Sequence, residues 1–289
     1  MTENSPQDPL VIPAREMSVG GPMVRRYLPY AKKRMVGPFI FFDHFPSTHF
    51  EANQSLDVRP HPHIGLSTLS YLLEGEVLHH DSLGCKQVLK PGDVNWMTAG
   101  KGIAHSERLP ESLRNREYHL HLLQFWVALP LEFEDVAPSF IHYPQQDIPH
   151  FKHNNNEIRL IAGEAFEHRS PVRTYSPLVF MDVQLSKNNR FEFSAPQMEL
   201  AFFVLQGAVD YRGQSYPQGS FVVAGESHLV FDGEGQVIVL GGEAFKEPRH
   251  IFWNFVSSSK EKIELAKSEW RNRTFPQVPG EDDIIPLPE

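Results

Sequence analysis

The sequence contains a single cysteine, Cys85, so no intrachain disulfide can form and the fold must rest on its packed core. One thiol, flanked by Gly84 and Lys86 with no histidine close by in sequence, reads as a turn residue rather than a nucleophile. There is no apolar run near the ~20 residues that a membrane helix needs. The opening MTENSPQDP lacks the basic-then-apolar order of a secretory leader, and together these features lead us to expect a cytoplasmic protein. Basic residues are outnumbered as well. The 27 Lys and Arg against 36 Asp and Glu give a net charge of −9, with no basic cluster to track a phosphate backbone, which argues against direct nucleic-acid binding.

What the sequence does have is punctuation. Its 24 prolines and 19 glycines fall at short intervals along 289 residues, and the segments between them are rich in Val, Phe, Tyr, Leu and Ile. Stretches such as 66–73, 119–129, 200–209 and 237–240 are too short for helices and are bounded by turn residues. This predicts an all-β sandwich or barrel. One helix is expected near the C-terminus. There Ser258 and Glu261 have capping-box spacing, and Ile263, Ala266 and Trp270 recur at helical intervals, a stripe suited to covering a β core.

A faint repeat runs through this pattern. The segment from Tyr71 through Gly75 to Val77 is echoed by Phe203, Gly207 and Val209. The segment from Leu89 through Gly92 to Val94 is echoed by Tyr216, Gly219 and Phe221. Two echoes in the same order predict two copies of one β-barrel domain. The polar stretch 135–156, with Pro138, Pro144, Pro149 and three consecutive asparagines, suits a linker and exposed loop. We therefore expect domains at 12–140 and 141–289, the second carrying the helix.

The chain also has 15 histidines, and their spacing is informative. His61-Pro62-His63 and His105-Ser106-Glu107 both have period two, which on a strand points each pair to one face of a sheet. Two such strands side by side would gather three imidazoles and a carboxylate around one point. This donor set suits a divalent first-row metal with coordination positions left open, and the residues alone leave the ion unspecified. His119-Leu120-His121 has the same period without a partner acid and enters an apolar strand, so we read it as structural. His79 and His80 are adjacent, face opposite ways on a strand, and cannot both ligate one ion. Trp96 and Met97 are expected to fill the interior.

At these residues the sequence resembles the pirin family of the cupin superfamily. The resemblance is carried by the segment from Val36 to Phe45, by His61-Pro62-His63-Ile64-Gly65, by the segment from Tyr71 to Glu76, and by the long block from Pro91 to Glu107. It implies a bicupin, two stacked antiparallel jelly-roll-like β-barrels, with one metal ion, usually Fe(II), in the N-terminal barrel on His61, His63, His105 and Glu107. The second copy lacks the paired motifs and is expected to hold no metal; His228 alone is not a site. Where many pirins have a glutamate four residues after the second histidine this chain has Ser67, and Ile64 stands where arginine is frequent. The resemblance therefore does not carry that second pocket carboxylate over to this chain.

The family resemblance implies two functional classes. Some pirins look like quercetin 2,3-dioxygenases, which implies a flavonol-like substrate, O2, and Glu107 as catalytic base. Others resemble metal-dependent regulatory proteins that bind transcriptional or metabolic protein partners without turnover, and the net negative charge fits a protein partner better than DNA. No heptad pattern or exposed apolar helix insists on a second copy, and the family resemblance implies a monomer.

Overall fold

The structure, a computed structural model, describes residues 8–19 and 23–289. Among these it is built of antiparallel strands with short 3-10 turns and one α-helix, Lys260–Arg271, in agreement with the all-β expectation. Its residues form two compact units that are not consecutive halves of the chain. Among the described residues, one unit comprises 16–19, 23–26, Ile40–Gln145 and Lys246–Glu289, and the other comprises 8–15, Tyr27–Phe39 and Gln146–Phe245.

The unit that contains Ile40–Gln145 has two main sheets and a small hairpin, His250–Phe252 with Phe255–Ser257. The larger runs in the order Ser139–Tyr143, Val94–Thr98, Leu66–Glu74, Tyr118–Ala128, Phe39–Phe50, Met23–Leu28 and Arg15–Ser18. The smaller has the order Val58–His63, Ile103–Arg108, Val77–Asp81 and Lys86–Leu89. Side chains from both sheets, among them Phe45, Phe50, Val58, Leu72, Val77, Leu89 and Leu120, bury one another in a common apolar cluster. The other unit is organised around the long strands Leu178–Ser194, Glu199–Tyr211 and His228–Gly242. Its hydrophobic core includes Phe191, Phe193, Phe202, Tyr211, Leu229 and Phe231.

The two echoes in the sequence have a common backbone cause. Gly75 and Gly207 both sit at positive φ, +85° and +79°, and a Cβ on either would lie 2.3 Å from the His119 carbonyl oxygen or 2.1 Å from that of Glu234. Only glycine permits both the left-handed conformation and so close an approach of the next strand. The repeated glycines therefore mark one close backbone approach made twice, just after Leu66–Glu74 and within Glu199–Tyr211.

Three expectations are revised. The stretch 135–156 is not a linker: it holds the strand Ser139–Tyr143, which pairs with Val94–Thr98 at a sheet edge, and the strand His150–His153. Its prolines punctuate short edge strands, where a missing N–H costs nothing, and Asn154 and Asn155 make a hairpin turn at φ +48° and +62°. The helix is capped by Ser259, whose hydroxyl accepts from the Lys262 N–H. Ser258 is instead taken by Glu134, which also receives hydrogen bonds from Ser257 and pairs with the buried Arg249 at 3.0 Å. Finally, the helix belongs to the unit with Ile40–Gln145, because its predicted stripe, Ile263, Ala266 and Trp270, packs on Ile64, Ala104 and Phe255.

Candidate metal centre

The centre lies on the smaller sheet of that unit, where Ile103–Arg108 is flanked by Val58–His63 on one side and Val77–Asp81 on the other. Residues directly opposite on antiparallel strands share a face. His61, His105 and Asp81 therefore form one row across three strands, and Val58, Glu107 and His79 form the next. Between those rows the register slips: one residue of Ile103–Arg108, Ser106, faces two on its neighbour, a bulge located at Arg59 and Pro60. Proline is tolerated there because no ladder hydrogen bond is asked of it.

The rows bring the three predicted histidines together. His61, His63 and His105 are each under a tenth exposed, and each offers a ring nitrogen within 4.8 Å of the others. The Nε2 atoms of His63 and His105 are 3.1 Å apart. His61 Nδ1 is 2.9 Å from the Arg59 carbonyl, to which it donates, leaving Nε2 with its lone pair. Burial pushes His61 down to about 4, partly opposed by that carbonyl, and holds His63 and His105 well below the usual histidine range. At neutral pH all three are uncharged, the form that ligates a metal. Two nitrogens bonded at ~2.1 Å to one ion at right angles stand ~3 Å apart, so this donor set fits a divalent first-row cation in spacing and in chemistry.

Glu107 shares the face and lines the same cavity, but its carboxylate is not part of the tight group of three nitrogens. Burial pushes it up to about 7. The cavity measures about 500 Å³, and its wall includes Thr68, Gln124, Trp126, Trp253 and Asn254. Phe41 stacks on Trp126 with centroids 3.9 Å apart and planes 11° off parallel. Arg26 lies 4.5 Å over Phe41 and is held in place by two 2.8 Å hydrogen bonds to Asp43. Ser67 faces Thr98 at 3.1 Å and does not line the cavity, whereas its neighbour Thr68 does.

The other histidines sort by environment. His79 and His80 point opposite ways, as their adjacency requires. His79 turns inward, its Nδ1 3.2 Å from His105 Nδ1 and its Nε2 3.0 Å from Asp81 Oδ2, while His80 reaches Glu281 at 2.7 Å. Sequence reasoning passed over His79, although its period-two spacing to Asp81 was a usable signal. Nothing in the sequence announced Trp253, Asn254 and Ile285, which reach the cavity from a distant segment. His121 meets His44 at 3.0 Å, and His228 is an exposed partner of Glu192 at 3.1 Å.

In the second unit the same positions can be found by register. Tyr211 stands 132 residues after His79, the offset that separates Tyr71 from Phe203 and Gly75 from Gly207. Tyr211 pairs with Phe231 as His79 pairs with Glu107, and Leu229 pairs with Phe193 as His105 pairs with His61. Phe193, Leu229 and Phe231 thus stand where the first unit has His61, His105 and Glu107, and all three are core residues.

Comparison with known proteins agrees with this architecture. Residues 21–127 match the pirin family model and residues 180–276 match that of the pirin C-terminal cupin domain. A pirin-like protein of Caulobacter vibrioides is 45% identical over 97% of this chain and 99% of its own. A Pseudomonas aeruginosa protein provisionally named quercetin 2,3-dioxygenase is 38% identical over 90% of this chain and 82% of its own. The crystal structure of a quercetin 2,3-dioxygenase from Acinetobacter baumannii superposes with a TM-score of 0.90 at 34% identity, covering 98% of this chain and 95% of that one. With both domains matched in order and the histidine cluster inside the first, the chain belongs to the pirin family and is a bicupin.

Proposed function

We propose that this pirin is a metal-dependent dioxygenase of the quercetin 2,3-dioxygenase type, opening a flavonol-like aromatic substrate with O2 and releasing CO. One observation carries the reading: three neutral imidazoles and a carboxyl poised near pH 7 face a single cavity walled by aromatic rings. His61, His63 and His105 would hold the ion, which we take to be Fe(II), with Glu107 as the fourth ligand. When bound, the ion supplies Lewis acidity toward the substrate's ring oxygens and a place to engage O2.

The remaining work falls to the chain's own side chains. Glu107, whose carboxyl burial pushes up to about 7 in the metal-free chain, would take the proton of a flavonol hydroxyl. Trp126, backed by Phe41 and through it by the Arg26 to Asp43 pair, lends aromatic surface to the wall against which a flat substrate would lie. Thr68 and Gln124 offer a hydroxyl and an amide for ring oxygens, beside the charged Arg26, Asp43, Asp57 and Arg59 that also line the cavity, and polar groups so placed orient a ligand of this kind.

The test uses iron-loaded protein prepared without oxygen and then mixed with quercetin and O2. Loss of flavonol absorbance and release of CO are followed. Turnover that disappears in His105→Ala, and in Glu107→Gln with iron still bound, is the expected result. A parent protein that binds iron without consuming the flavonol overturns the enzymatic reading in favour of a protein-binding regulator.

A further inference from the structure

We infer that His79 is a positioning residue for His105: anchored by the buried Asp81, it dictates which imidazole nitrogen His105 turns toward the cation. The inference rests on the reading of His105 as a metal ligand.

Three observations form a relay. Asp81 has no exposed surface. Its Oδ1 accepts the backbone N–H groups of Leu83 at 2.9 Å and Cys85 at 3.1 Å, and its Oδ2 faces His79 Nε2 at 3.0 Å. A carboxylate only accepts, so Nε2 of His79 must carry a proton, and with one proton on the ring Nδ1 presents a lone pair. The atom 3.2 Å from that lone pair is His105 Nδ1. Two lone pairs cannot face each other at this distance, so His105 donates from Nδ1, and its own lone pair is left on Nε2. That is the nitrogen 3.1 Å from His63 Nε2, within the cluster. His79 cannot swing out of the relay easily, since its ring is stacked on Phe140 with centroids 4.1 Å apart and planes 13° off parallel. Hydrogen-bond partners of this kind fix the tautomer and orientation of ligating histidines, and their loss lowers metal affinity roughly 10- to 100-fold.

The relay makes an opposite prediction for two near-isosteric changes. In Asp81→Asn the side-chain oxygen stays with the Leu83 and Cys85 N–H groups, and the amide NH2 turns to His79. His79 must then move its proton to Nδ1, which forces that of His105 onto Nε2, the atom needed for the ion. In His79→Gln, by contrast, one amide can donate to Asp81 and accept from His105, so the relay survives. His79→Phe keeps the stacking on Phe140 and removes the acceptor.

Two measurements decide the matter. The first is 15N NMR of histidine rings in the metal-free protein, which reports the tautomer directly. His105 is expected with its proton on Nδ1 in the parent and on Nε2 in Asp81→Asn. The second is titration with Co(II) in place of iron. Affinity is expected to fall at least tenfold in Asp81→Asn and His79→Phe and to stay within a few-fold of the parent in His79→Gln. A parent whose His105 carries its proton on Nε2 overturns the inference, as do Co(II) affinities in Asp81→Asn and His79→Phe within twofold of the parent. A parent that binds no Co(II) refutes the ligand assignment instead, and the His105 tautomer in the unmodified chain still decides the relay, including where a variant does not fold.

Discussion

Replacing Glu107 by Gln should make the metal-free protein more stable at pH 8 and leave it unchanged near pH 4.5. Burial raises the folded-state value of this carboxyl from 4.5 to about 7, so the folded protein holds the proton more tightly than the unfolded chain does. Between those two values the unfolded chain releases its proton first, and stability falls as pH rises. At about 1.4 kcal/mol per pH unit the interval amounts to about 3 kcal/mol, an upper figure because Glu107 keeps part of its surface open to the cavity. Glutamine has nearly the same shape and does not ionise. The difference in unfolding free energy between variant and parent should therefore grow from pH 4.5 to 7 and then level off. Urea unfolding of chelator-treated protein followed by tryptophan fluorescence is suited to the measurement. All four tryptophans, Trp96, Trp126, Trp253 and Trp270, lie in the unit that carries the site. The buried histidines contribute the opposite slope, since His61 falls from 6.5 to about 4 and its neutral folded state loses stability as pH drops through that window. That term is common to both proteins and cancels in the difference. A difference that is flat with pH, or a parent more stable than Glu107→Gln at pH 8, would refute the burial argument. Saturating divalent metal should abolish the variant's advantage, because the cation then offsets the cost of the buried charge.

Three further substitutions test the scaffold. Glu134→Ala strands the Arg249 guanidinium, which is 1% exposed, and removes the acceptor for Ser257 and Ser258; a loss of about 3–5 kcal/mol is expected in the tryptophan-detected transition. Gly207→Ala and Gly213→Ala both force alanine to positive φ, at +79° and +76°, a cost of about 1–2 kcal/mol. Only at Gly207 does the new Cβ meet a backbone oxygen at 2.1 Å, so calorimetry should show Gly207→Ala as clearly the more damaging of the pair.

Much of the site was legible because period two is a local property. His61, His63 and His105 could be assigned to common faces without knowing what lay between them, and the strand pairing then set them side by side. Glu107 was legible as a companion of His105, yet the bulge at Arg59 and Pro60, which fixes where its carboxyl sits relative to the histidines, belongs to the neighbouring strand and leaves no mark in the motif itself. The helix shows the same division. Its stripe of Ile263, Ala266 and Trp270 told that something would cover it, but not what. The cap moved from Ser258 to Ser259 because Glu134, 124 residues away, claims Ser258. The linker reading of 135–156 failed for a related reason: proline excludes a residue from a central strand but not from an edge, and edges are decided by topology.

The two cupins place opposite demands on the same interior positions, and this difference can be measured. In the second unit Phe193, Leu229 and Phe231 fill the ground that the first gives to His61, His105 and Glu107, and each buried aliphatic or aromatic side chain contributes about 1.5–3 kcal/mol. The first unit forgoes that contribution and in addition keeps titratable groups out of water, which weakens the strands that carry them unless a cation repays the desolvation. Native-state hydrogen exchange should therefore show the segments 58–63 and 103–108 opening more readily than 191–193 and 229–231 in metal-free protein. Adding Co(II) should slow exchange in the first pair of segments, by tenfold for every 1.4 kcal/mol of binding free energy realised, and leave the second pair unchanged. Equal protection of both pairs without metal, or a uniform slowing across all four on adding it, would mean that the polar interior imposes no local cost, and the division of labour argued from register would be wrong.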